Sequence, residues 1–195
     1  MSTHEAYGVA AAIVNACWLI FVMFWLIAAF GNKKTVYSEN LGQRFLVQII
    51  ALIGVLIIMN SPREPQPLSM FIFPQTAATA AIATMICIGG LAFAIWARVA
   101  IGRNWSARVT VKENHELIQR GPYALVRHPI YTGLLSMALG SALLVGRAGA
   151  AAGWIVFLVS FWIKSRDEEA LMMQQFPNEY AAYRQRTKRV VPFIF

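Results

Sequence analysis

YGVAAAIVNACWLIFVMFWLIAAF, from Tyr7 to Phe30, is twenty-four residues without one charge. At 1.5 Å per residue such a helix is about 36 Å long, enough to cross a ~30 Å hydrocarbon core. Four more apolar runs follow, at about Phe45 to Met59, Gln75 to Ile101, Pro129 to Val145 and Ala150 to Ile163. Together they predict an all-α integral membrane protein with about five transmembrane helices. The third run reaches about 40 Å as a helix, so it should tilt or protrude, with Arg98 and Arg103 at the protruding end. The fourth and fifth are short, and GRAGAAAG joins them, which predicts a helical hairpin packed through small residues. Gly89-Gly90 inside the third run reads as a packing notch. The start, MSTHEAYG, lacks a basic cluster, so the first run reads as a retained span and not a cleaved signal.

Composition agrees. The 195 residues are 58% hydrophobic and 13% charged, about half the charge of an ordinary soluble domain. The net charge of +8 does not read as a nucleic-acid footprint, because the cations flank apolar runs and build no soluble face. Five spans put fifteen of the 17 Lys and Arg on one side and leave Arg63 and Arg147 on the other. By the excess of Lys and Arg on cytoplasmic loops, the richer side, with the C-terminus, is expected in the cytoplasm. Cys17 and Cys87 lie in apolar runs, no CxxC occurs, and the three His are scattered, so neither a disulfide framework nor a metal site is expected. With no linker between spans and polar segments, residues 1–195 read as one domain. Three spans fill 1–101, and 102–195 carries a hairpin and a C-terminal helix.

Three polar stretches on the basic side can carry chemistry. RGPYALVRHPIYTG, Arg120 to Gly133, opens with a Gly-Pro turn signal and places Pro129 at the first position of a helix, with His128 at its entrance. The open backbone N–H groups there, beside Arg127 and His128, suit a carboxylate or phosphate. The same residues also suit simple anchoring at the headgroups. KSRDEEALMMQQF puts Lys164 and Glu168 four apart on one face of a continuing helix. The hairpin returns this acidic cluster to the entrance of the fourth run. Arg and His for an anion beside Glu for an ammonium suit a zwitterionic amino-acid group. In NWSARVTVKENHELIQRGPY the alternation of ARVTVKE suggests an extended piece, and HELI sets apolar side chains beside His115. The tail FPNEYAAYRQRTKRVVPFIF reads as a helix through Tyr180, Tyr183 and Arg184. Its Arg184, Arg186, Lys188 and Arg189 read as a solvated, headgroup-facing stretch, with anionic lipid as the other reading. No Gly-rich phosphate loop, HExxH motif or evident Ser–His–Asp set competes with this.

NWSA, HELIQRGPY, VRHPIYTG, Glu168-Glu169 and EYAAYRQRTKRVVPFI occur in this order over the C-terminal half. The set resembles the isoprenylcysteine carboxyl methyltransferase family, within the wider group that includes phospholipid N-methyltransferases. The resemblance implies S-adenosyl-L-methionine as cofactor, at the cytosolic face under the C-terminal helix. It implies a pocket lined by His115, Glu116, Leu117, Ile118, Tyr123, Arg127, His128, Pro129, Ile130, Tyr131 and Glu168. It also implies methyl transfer to a lipophilic or lipidated acceptor, with Arg127, Lys164 and Glu168 as the catalytic candidates and membrane lipids as the surroundings. One departure concerns the acceptor. Eukaryotic members carry an Arg just before the acidic cluster, associated with the substrate carboxylate. Lys164 stands there in this chain, keeping the charge without the planar fork. Two other readings share some of these features: an NADPH-dependent sterol-type reductase and a small non-enzymatic membrane protein.

Overall fold

The computed structural model describes residues 2–29, 35–38, 41–102, 110–112 and 117–190. Five apolar helices dominate it: α1 (Thr3–Ala29), α2 (Leu41–Asn60), α3 (Ala77–Ile101), α4 (Pro129–Val145) and α5 (Ala148–Gln175). A short polar helix, α6 (Pro177–Arg186), follows. Four of the five apolar helices, all but α4, are long and apolar enough to cross a membrane. Their large side chains face outward, with Leu26, Ile27, Met59, Met85 and Val99 more than half exposed. That is the expected surface of a bundle whose solvent is lipid.

The helices expected from the sequence are present. The fifth apolar run, which ends near Ile163, continues as expected into a helix through Lys164 and Glu168, unbroken for 28 residues to Gln175. Its apolar part ends where charge begins, and the helix continues beyond it. α5 therefore carries Lys164, Glu168 and Glu169 on a rigid extension of a membrane helix. The extended piece expected around ARVTVKE is present as β2 (Thr110–Lys112), and it pairs antiparallel with β1 (Thr35–Ser38).

Small residues set the helix pairing, though not where GRAGAAAG suggested. α3 and α4 share the largest interface, and α2 and α5 the next. A Cβ on Gly133 would lie 2.6 Å from the Gly90 carbonyl, and one on Gly140 would lie 2.5 Å from that of Ala83. Backbones thus meet directly along an antiparallel α3–α4 seam. Gly54 and Gly153 make the matching seam between α2 and α5, where an added Cβ would lie 2.8 and 2.6 Å from the facing carbonyl. Gly90 is the notch expected of the Gly89-Gly90 pair, while Gly89 faces open space. α4 and α5, neighbours in sequence, meet through side chains instead. The Trp154 indole donates to the Leu135 carbonyl (2.9 Å), and Leu135, Ala138 and Phe157 cluster. Gly146, left-handed at φ 71°, caps α4 and makes the sharp turn into α5.

Among the described residues, the two charge groups fall at opposite ends. Arg147 donates to the Ser69 carbonyl and lies 4.0 Å above the Phe71 ring in the connection after α2, where Arg63 also sits. Arg98, at the other end, ties α3 to α1 by donating to the Gly102 and Ala28 carbonyls (2.7 and 2.6 Å).

Candidate active site

Chain geometry at that basic end builds a charged cluster. Arg120 leads into a 3-10 turn (Gly121–Ala124), with Gly121 at φ 62°. The chain then enters α4 with Pro129 as its first residue and His128 as its cap. The strap 187–190, emerging from α6, lies beside this entrance. Val126 and Lys188 form a parallel bridge, and the Arg127 and His128 amides donate to the Lys188 and Arg189 carbonyls (2.8 and 2.9 Å). Thr132, one turn into α4, donates to the Val190 carbonyl. The strap thus uses up backbone groups that would otherwise be open at the helix entrance.

α5 delivers its two carboxylates to different neighbours, because adjacent helical residues diverge by about 100°. Glu168 accepts from the Tyr131 hydroxyl, and one of its oxygens lies 3.3 Å from His128 Nδ1. Glu169 accepts from Arg127 Nε (2.8 Å) and from Arg189 Nε and Nη2 (3.1 and 2.9 Å), and lies 3.3 Å from His128 Nε2. Arg184 stands 3.8 Å off. The Glu169 side chain is 5% exposed and that of Glu168 21%. Glu168 is the carboxylate still open to a ligand, and Glu169 is an internal counter-ion.

Both ring nitrogens of His128 face carboxylates, the arrangement of a doubly protonated imidazole. Burial opposes its charge. The hydrogen bonds and negative charges of Glu168 and Glu169 outweigh burial, so His128 titrates above its ordinary value. Burial pushes the Tyr123 and Tyr183 hydroxyls above their usual range, which keeps them neutral donors. The Tyr183 hydroxyl donates to the Tyr123 carbonyl and fastens α6 over the 3-10 turn.

Most of the expected residues converge. His128 and Tyr131 stack in parallel at 5.4 Å, and Tyr131 leans on Phe161 of α5 at 4.7 Å. Lys164 Nζ lies 5.8 Å from the centre of the Tyr131 ring. Tyr123, Ile118 and Ile130 share a cluster with Ala97, and Pro129 is buried at the head of α4. Leu117 and Ile118 line a cavity of about 390 Å³ with Gln119 and Arg120. His115 and Glu116 lie outside the described residues. Arg127 points away from Glu168: besides Glu169, its guanidinium donates to the Thr187 and Arg184 carbonyls. Sequence reasoning missed the separate duty of Glu169 and the turning of Arg189 inward. The tail expected to be solvated throughout is, at Arg189, one half of a part-buried ion pair.

Residues 81–174 match the model of the Isoprenylcysteine carboxyl methyltransferase (ICMT) family. Over that segment the chain is similar to those methyltransferases. The protein-S-isoprenylcysteine O-methyltransferase of Schizosaccharomyces pombe is 29% identical over 188 residues, covering 88% of this chain and 78% of that one. A probable protein-S-isoprenylcysteine O-methyltransferase of Oryza sativa subsp. indica is 32% identical over 99 residues, covering 49% and 52%. The cobalt-zinc-cadmium resistance protein CzcN of Cupriavidus metallidurans is 33% identical over 94 residues, covering 47% and 43%. The chain thus spans most of the S. pombe relative but only about half of the other two. The structure of the eukaryotic intramembrane Ras methyltransferase ICMT aligns with a TM-score of 0.53 at 22% identity, over 80% of this chain and 54% of that one. That likeness shows the fold: an integral membrane helical bundle of the ICMT kind. The segment matched to the ICMT model holds His128, Tyr131, Lys164, Glu168 and Glu169, so the cluster built above lies within the matched segment.

Proposed function

We propose that this protein transfers a methyl group from S-adenosyl-L-methionine to a lipophilic acceptor at the cytoplasmic boundary of the membrane. The observation that carries the reading is the convergence of His128, Tyr131, Lys164 and Glu168 where α4 begins and α5 leaves its apolar stretch. A polar cofactor reaches that boundary from water and a lipid acceptor reaches it from the bilayer. The comparisons lend no support to the reductase or scaffold readings.

The residues present fit a zwitterion. Glu168, held by the Tyr131 hydroxyl and left partly open, accepts from an ammonium. Lys164 supplies positive charge for a carboxylate, while protonated His128, facing Glu168 and Glu169, offsets their negative charge beside it. Leu117 and Ile118 give an apolar wall for a flat ring. Arg127 acts at one remove: it holds the strap 187–190 and, with Glu169, fixes His128. The resemblance adds His115 and Glu116 to the proposed cofactor-binding residues; both lie outside the described residues.

S-adenosyl-L-methionine supplies, when bound, an electrophilic methyl on a sulfonium. Transfer to a nucleophilic acceptor would break the methyl–sulfonium bond and release a neutral thioether, with Glu168, Tyr131 and Lys164 the residues that would hold the cofactor for it. An ionised carboxylate or thiolate acceptor needs no general base. The chain's contribution is therefore alignment and exclusion of water. Lys164 is placed to steady an anionic acceptor as a point charge rather than a fork.

The test is purified protein in lipid nanodiscs, titrated with S-adenosyl-L-methionine and with NADPH, then incubated with labelled cofactor and a panel of lipophilic carboxylates, thiols and amines. Saturable binding of the first cofactor alone, with label transferred to one acceptor class, is the expected result. No saturable binding of S-adenosyl-L-methionine would end the proposal.

A further inference from the structure

A second cavity system lies on the face of α5 turned away from Lys164 and Glu168. Its polar half is a cleft of about 490 Å³, lined by Arg127, Arg184, Lys188 and Arg189 together with Trp162 and Met173. Among the described residues no Asp or Glu lines it; Glu169, which pairs with Arg127 and Arg189, balances only part of this charge. Arg184 is 46% exposed at its side chain and Lys188 is exposed. Its apolar half is a groove of about 580 Å³ between α4 and α5, walled by Leu135, Leu139, Trp154 and Leu158. Trp162 lines both halves. The strap divides its side chains likewise: Arg189 enters the cleft and Val190 the groove. The Arg189 guanidinium lies 4.5 Å over the Trp162 ring, and tryptophan settles at the headgroup level of a bilayer.

We propose that the cleft and groove together bind one anionic phospholipid, its phosphate among Arg184, Lys188 and Arg189 and one acyl chain along the α4–α5 groove past Trp162. Charge selects this occupant. A neutral zwitterionic headgroup brings an ammonium into a ring of cations, whereas a net anion brings only the charge that ring lacks. The apolar groove, opening to the bilayer beside half-exposed Val159 and Trp162, favours a lipid over a free anion. Because the strap walls this site and also closes the entrance of α4, a lipid held there braces the helix end that carries His128 and Tyr131. The inference does not depend on the identity of the methyl acceptor.

The experiment uses the full chain in phosphatidylcholine vesicles containing lipid brominated on its acyl chains, either phosphatidylglycerol or phosphatidylcholine. Subtracting the emission of Trp162→Phe isolates quenching of Trp162. Brominated phosphatidylglycerol should quench at about fivefold lower mole fraction than brominated phosphatidylcholine, the advantage that one cation at a leaflet surface gives. The Arg184→Gln/Lys188→Gln variant should quench equally with both lipids. Lys188→Gln alone, at an exposed position, should lose part of the preference with unchanged thermal unfolding. Equal quenching by both lipids in the unaltered protein overturns the proposal. Loss of the preference on adding excess inorganic phosphate overturns it too, in favour of a free-anion site.

Discussion

Glu168 and Glu169 are consecutive on α5, yet one accepts from Tyr131 and stays partly open while the other is closed in by Arg127, Arg189 and His128. His128 touches both. The pair therefore divides the work: Glu168 is available to a ligand, and Glu169 assembles the frame around it.

Glu168→Gln should leave the fold intact and weaken S-adenosyl-L-methionine binding by about 2 kcal/mol, roughly 30-fold, the worth of a charge-assisted hydrogen bond. Calorimetric titration in nanodiscs checks this. Binding within a factor of two of the unaltered protein would remove Glu168 from the ligand site.

Glu169→Gln acts differently. It leaves Arg127, Arg189 and His128 without their shared counter-ion, and breaking such a buried set costs about 3 kcal/mol. Thermal unfolding in detergent should fall markedly. Proteolysis should also cut the strap 187–190, which Glu168→Gln leaves protected. A variant as stable as the unaltered protein would show that the strap is held by its backbone pairing alone.

His128 makes the stability pH-dependent with a definite sign. Its folded value is raised, so its ion pairs contribute fully below the ordinary imidazole pKa of about 6.5 and are lost as pH rises through the raised value. Unfolding temperature should fall on the alkaline side, and His128→Gln should flatten that fall. A fall of equal size in both proteins would assign it elsewhere.

The seam makes a paired prediction. Gly90→Ala puts a methyl 2.7 Å from the Gly133 carbonyl, whereas Gly89→Ala meets nothing within 4 Å. The first should destabilise by about 1–3 kcal/mol, the cost of overpacking, and the second should be neutral. Comparing the two unfolding temperatures tests the seam directly, since helix propensity is the same in both.

The long runs from Tyr7, Phe45 and Gln75 were legible because lipid imposes length and apolarity on each span. The apolar part of α5 stops at Ile163, and the helical spacing of Lys164 and Glu168 carried the reading past it, while its end at Gln175 leaves no such signal. The meeting of His128 with Glu168 was legible from the hairpin, which brings the start of α4 and the end of α5 together. Which of the two adjacent glutamates faces which way was not, since that depends on helical phase against neighbours fixed elsewhere. The strap was hidden for a similar reason: one parallel bridge between Val126 and Lys188 is too short to leave a periodic pattern. Small residues announced close packing, but the choice of partner, α3 for α4 and α2 for α5, is a tertiary fact.

Where Gly90, Gly133 and Gly140 let two main chains touch, there is no layer of side chains to slide or repack. α3 and α4 must therefore behave as one stiff plank, and any widening to admit molecules of different girth has to come from the α5 side, where bulky, adjustable side chains form the contact. Divergence in what such a protein accepts should accordingly be written in α5 and the loop it faces, with the plank left alone.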